Sequence, residues 1–170
     1  MSRTTKLLAR SAIGAAVGVV LLYVASVLPS GRLGMLCISG FAVIFVLMSC
    51  GWRWALGAFA CTALLGIFLL PDKAIAASYA LFAGWYPVVK LALERSGSQA
   101  RRWIGKFLIF NAVFIPGALV LRELFFAGTR LEAVPFLWIL LAANVCFLIY
   151  DYACKYLILF YIRKIARRWK

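Results

Sequence analysis

Three polar residues stand in the last long apolar stretch of this chain: Asn144, Asp151 and Lys155. Their spacing of i, i+7 and i+11 puts them near one face of a helix. A lone carboxylate inside an apolar run is costly on membrane-insertion scales, by about 2.5–3.5 kcal/mol. Asp151 therefore needs a partner, and Lys155 follows it in the favourable i, i+4 order for an ion pair. The pair reads first as a self-neutralised lock between helices and second as the polar lining of a ligand cavity or gate. If Lys155 instead reaches out towards the cytoplasm, Asp151 needs another cation, such as Lys90.

The remaining inventory argues against catalysis. The acids are Asp72, Glu94, Glu123, Glu132 and Asp151, and no two have the close helical spacing of a metal-binding carboxylate pair. Histidine is absent, so there is no histidine general base. Cys37, Cys50, Cys61, Cys146 and Cys154 form no C-x-x-C and read as small buried apolar residues. No metal centre, cofactor or disulfide framework is expected. No G-x-x-x-x-G-K-[ST] loop is present, so the chain itself should not hydrolyse ATP. A small membrane enzyme with a Ser-Lys or Cys mechanism stays open as a third reading.

These residues must be positioned by helices in lipid. Apolar residues make up 66% of the chain and charged residues 14%, against roughly 45–50% and about 25% in soluble domains. Mean hydropathy is +0.99. A soluble fold of 170 residues has too little interior for that much apolar surface. Six runs approach the length of about 20 residues that a span requires: 7–28, 33–49, 54–70, 74–93, 103–126 and 136–162, followed by a basic tail, 163–170. The first reads as a retained helix, being long for a signal sequence. The expected fold is an all-α six-helix transmembrane bundle in one domain.

Charge sets its orientation. The net charge is +14, but the basic residues lie between and after apolar runs, so they point to lipid headgroups and not to nucleic acid. One side carries fourteen Lys and Arg: Arg3, Lys6, Arg10, Arg53, Lys90, Arg95, Arg101, Arg102, Lys106 and five in the tail. The other carries four: Arg32, Lys73, Arg122 and Arg130. That bias places both termini in the cytoplasm and the chain in the cell membrane.

Other features are weaker. Gly84 and Pro87 in the fourth run, and Asn111 with Pro116-Gly117 in the fifth, make two consecutive helices irregular. Any cavity is expected among the fourth to sixth spans. The outer arginines could meet an anionic solute, or simply be solvated or paired with Glu123 or Glu132. Ala12-x-x-x-Ala16 and Gly14-x-x-x-Gly18 in the first run let another helix approach closely.

Length, six spans, a basic N-terminus and the Ala12-x-x-x-Ala16 motif together resemble the substrate-binding S components of energy-coupling factor transporters. The resemblance implies that Ala12 and Ala16 meet a transmembrane T component, and that two separate ATPase subunits supply energy. It also implies an outward-facing pocket for a vitamin-like solute. Arg32, Ser78, Tyr79, Arg122 and Asn144 are the outer-half candidates for that pocket. The alternative is a membrane scaffold or assembly factor whose basic cytoplasmic face recruits lipid or a partner.

Overall fold

The computed structural model describes residues 2–94, 98–121 and 134–165. All regular structure among the described residues is helical: α1 (Arg3–Val27), α2 (Arg32–Cys50), α3 (Trp52–Leu69), α4 (Lys73–Ser78), α5 (Tyr86–Glu94), α6 (Gln99–Val120) and α7 (Phe136–Phe160). A π-helical stretch, Tyr79–Ala83, joins α4 to α5, and another, Tyr161–Ile165, extends α7. With α4 and α5 taken together, six helices among the described residues are long and apolar enough to cross a membrane. Helix α6 begins at Gln99, earlier than the expected 103, and 122–126 lie outside the described residues.

The outer surface is apolar. Ile13, Val20, Leu64, Phe68, Leu108 and Ile149 all face outward. A water-soluble bundle would bury such residues, whereas this arrangement is compatible with a multi-pass membrane protein.

Two packed halves share α2. In the first, Leu22, Val43, Val46, Ala55, Ala58, Ile75 and Tyr79 are buried together. Small residues let α1 approach closely: a Cβ placed on Gly18 would lie 3.1 Å from the Thr62 side chain. Two hydroxyls then reach carbonyls on α1. Ser39 Oγ donates to Gly18 O at 3.2 Å, and Thr62 Oγ1 donates to Ala15 O at 3.2 Å. In the second half, Ile44, Tyr86, Phe110, Phe147, Tyr150, Cys154 and Ile158 are buried. The connections from α1 to α2 and from α2 to α3 turn at Gly31 (φ 77°) and Gly51 (φ 94°), where a side chain would be strained.

Between α4 and α5 the backbone is irregular, π-helical over Tyr79–Ala83 and turning at Gly84 and Trp85. Gly84 N donates to Tyr79 O, an i to i−5 bond of 3.0 Å. Pro87 has no N–H to give Ala83 O, the acceptor one turn earlier. Tyr150 Oη donates to that carbonyl instead, at 2.7 Å. Trp85 Nε1 donates to Leu81 O at 2.8 Å. The irregular stretch is thus stabilised by side-chain donors, as buried backbone requires.

Tyr150 also lies over Gly40. A Cβ there would collide with the phenol oxygen and come within 2.7 Å of Ala83 O. Gly40→Ala should therefore destabilise the bundle by about 1–3 kcal/mol. Gly57, with nothing within 4 Å of its Cβ position, is the control; Gly57→Ala should stabilise by about 0.4–1 kcal/mol. Thermal unfolding in detergent micelles checks both, and equal shifts for the two variants would refute this packing account.

Candidate functional site

Three helices converge on one carboxylate. On α5, Tyr86, Lys90 and Glu94 recur every four residues and so share a face. On α6, Lys106 and Phe110 are likewise four apart and both buried. On α7, Phe147, Tyr150, Asp151, Cys154 and Ile158 form the buried stripe. Asp151 is 2% exposed where these faces meet, Lys90 0% and Lys106 5%.

Every strong donor in the cluster is used. Lys90 Nζ donates to Asp151 Oδ1, to Asp151 O at 3.1 Å and to Glu94 Oε1 at 3.0 Å. An ammonium has three N–H groups, and those acceptors match them. Lys106 Nζ reaches Asp151 Oδ2 at 3.0 Å and Glu94 Oε1 at 3.2 Å. It also lies 5.1 Å from the centroid of the Trp103 ring, a cation–π arrangement. Tyr86 Oη donates to Asp151 Oδ1 at 2.6 Å. Two cations and two carboxylates balance, so the group can be buried without net charge.

An aromatic shell surrounds it. Phe110 stacks on Phe147 with centroids 4.6 Å apart, and Phe82 lies 4.6 Å from Tyr86. Low polarity around the ions strengthens their mutual attraction and raises the cost of leaving any one unpaired.

The partner of Asp151 is therefore not Lys155. Lys155 is exposed on α7, and both carboxylate oxygens of Asp151 are taken by lysines from other helices. The intrahelical pair gives way because α5 and α6 deliver ammonium groups directly into the buried face. Lys90, the alternative cation, is one of the two. Lys106 counts among the basic residues of the expected cytoplasmic side; the earlier start of α6 places it two turns inside the helix.

The proposed outer-half residues are dispersed. Arg32 bridges Asp72 at 2.9 Å and donates to Leu28 O at 2.7 Å. Asp72 also caps α4 through Ala74 N at 2.9 Å. Ser78 Oγ donates to Ala74 O at 2.8 Å. Tyr79 is fully buried against Phe59, and its hydroxyl has no hydrogen-bond partner among the described residues. Asn144 forms a reciprocal amide pair with Asn111, with bonds of 3.1 and 3.2 Å. No hydrogen bond or ion pair joins any two of Arg32, Ser78, Tyr79 and Asn144. Arg122 lies outside the described residues. Ala12 and Ala16 face outward on α1. Among the described residues no three His, Cys, Asp or Glu side chains converge as metal ligands would.

No family model, curated protein or solved structure matches the chain.

Removing one member of a buried ion pair leaves its partner uncompensated, typically at a cost of about 3–5 kcal/mol. Asp151→Leu should lose that much. The double variant Lys90→Met with Asp151→Leu leaves Lys106 balanced by Glu94, and should recover part of the loss. Unfolding of the wild-type protein, the single variants Asp151→Leu and Lys90→Met, and the double variant in detergent measures this coupling. A double variant as unstable as the sum of its single variants would mean that the two residues do not interact.

Proposed function

We propose that the chain is a multi-pass protein of the cell membrane, with both termini cytoplasmic, serving as the solute-binding subunit of a micronutrient importer. The orientation still rests on charge. With Lys90 and Lys106 withdrawn from the cytoplasmic count because they are buried in the bundle, twelve basic residues there face four on the other side. Positive charge kept inside sets topology.

The observation that carries the functional reading is the division of small residues on α1. Gly14, Ala15 and Gly18 are buried, whereas Ala12 and Ala16 remain outside on a strip with Ile13, Val17 and Val20. One small-residue face thus closes the bundle, and a second stays open to another transmembrane helix. That supports a subunit docking a membrane partner, a T component with two ATPases in the resembling family. Solute recognition belongs, on this reading, to the half formed by α4 to α7, which holds the Asn111–Asn144 pair and the π-helical stretch.

A scaffold or assembly factor is the second reading. The mutually satisfied, charge-balanced cluster at Asp151 favours it, since a static lock would have that form.

Two measurements test the proposal. Native mass spectrometry of gently extracted protein should reveal a bound small molecule and co-purifying membrane and ATPase subunits. Ala12→Trp with Ala16→Trp should abolish that co-purification while leaving the unfolding temperature of the isolated protein unchanged, because both positions are exposed. An intact complex in the double variant would remove this face as the docking surface.

A further inference from the structure

The four charged groups at the junction of α5, α6 and α7 are not equally enclosed. The side chains of Lys90, Lys106 and Asp151 are 0%, 7% and 2% exposed, whereas that of Glu94 is 29% exposed. Glu94 is the last residue of α5, so its side chain hangs at the end of the bundle. One oxygen, Oε1, receives both ammonium groups, at 3.0 and 3.2 Å. Asp151 instead spends one oxygen on each lysine and takes a third bond from Tyr86. Asp151 is therefore the fixed anion of the cluster, and Glu94 the exchangeable one.

The surroundings favour a second anion at that end. Arg102 lies one turn before Lys106 on α6, and its Nε is buried without a hydrogen-bond partner among the described residues. Lys155 is exposed one turn beyond Asp151. Trp103 stands against Lys106 in an aromatic-and-basic pairing suited to headgroup depth. Basic pockets between helices on the cytoplasmic side are where anionic headgroups bind.

We propose that Lys90 and Lys106 form a phosphate-binding site closed by Glu94, whose carboxylate swings out when the phosphate of an anionic phospholipid headgroup enters. The charge balance is explicit. With Glu94 displaced into water, two lysines face one aspartate, and a phosphodiester monoanion restores neutrality. Free phosphate shares this chemistry but lacks acyl chains to lie along the apolar surface beside Trp103. The site depends on the membrane placement proposed above and not on any solute or ATPase partner.

The test uses the full chain in mild detergent, with bound lipid counted by native mass spectrometry. Phosphatidylglycerol, phosphatidylcholine and inorganic phosphate are supplied in separate arms. Phosphatidylglycerol should be retained over phosphatidylcholine. Glu94→Gln, which removes the competing charge, should tighten phosphatidylglycerol binding about fivefold, the factor expected for one unit charge near an anionic surface. Glu94→Asp keeps the charge but shortens its reach, and should tighten binding by less. If inorganic phosphate alone saturates the site and expels the lipid, the phosphate site stands and its ligand is the free anion. Unchanged or weaker anion binding in both Glu94 variants would overturn the proposal, as would equal retention of the two lipids.

Discussion

A carboxylate enclosed by helices must find cations or forfeit its charge, and Asp151 finds two on two different helices. That requirement determines much of the second half of the bundle. Lys90 must enter from α5 and Lys106 from α6, which fixes the rotation of both helices about their axes. Hydrophobic packing specifies such rotations loosely, because one apolar side chain substitutes readily for another. Ionic hydrogen bonds do not, since each ammonium proton needs its own acceptor. The lock need not contribute much net stability to specify the arrangement.

The first half of the bundle uses different means. Between α1, α2 and α3 there is no buried ion pair among the described residues. Small residues bring the backbones close, and single hydroxyls from Ser39 and Thr62 bond the carbonyls of α1. Where lipid surrounds a bundle, apolar side chains gain little by leaving it, so close packing and interhelical hydrogen bonds must hold helices together. The hydroxyl bonds suit the close three-helix unit, and the charged cluster lies in the half packed with aromatic rings.

Much of this was legible in the sequence, for physical reasons that can be named. The number and approximate limits of the apolar helices follow from run length alone. Asp151 announced itself because an acid in an apolar run demands an explanation. Of its two partners, Lys90 could be named only as an alternative to Lys155 and Lys106 not at all, because spacing along one helix is visible in a sequence and convergence of three helices is not. Lys106 was hidden further by its position near the start of an apolar run, where a basic residue normally marks the membrane surface. The remaining signal was that no proline stands between Gln99 and Lys106, so the helix can start at Gln99 and carry Lys106 inward by two turns. Pro87 was visible as a disturbance, but the donor that repairs it, Tyr150, lies 63 residues away.

Tyr150 and Asp151 are neighbours in sequence, and successive residues of a helix point about 100° apart. One therefore faces the carbonyl of Ala83 and the open face of Gly40, while the other faces Lys90 and Lys106. A rotation of α7 that relaxed the charge cluster would also withdraw the phenol from the carbonyl that Pro87 leaves without a backbone donor. The same rotation would open the contact between α7 and α2, the helix shared by both halves. The ion cluster and the π-helical stretch between α4 and α5 are consequently not separate devices. A single helical register on α7 satisfies both, and α2 can sit close at Gly40 only when that register is kept.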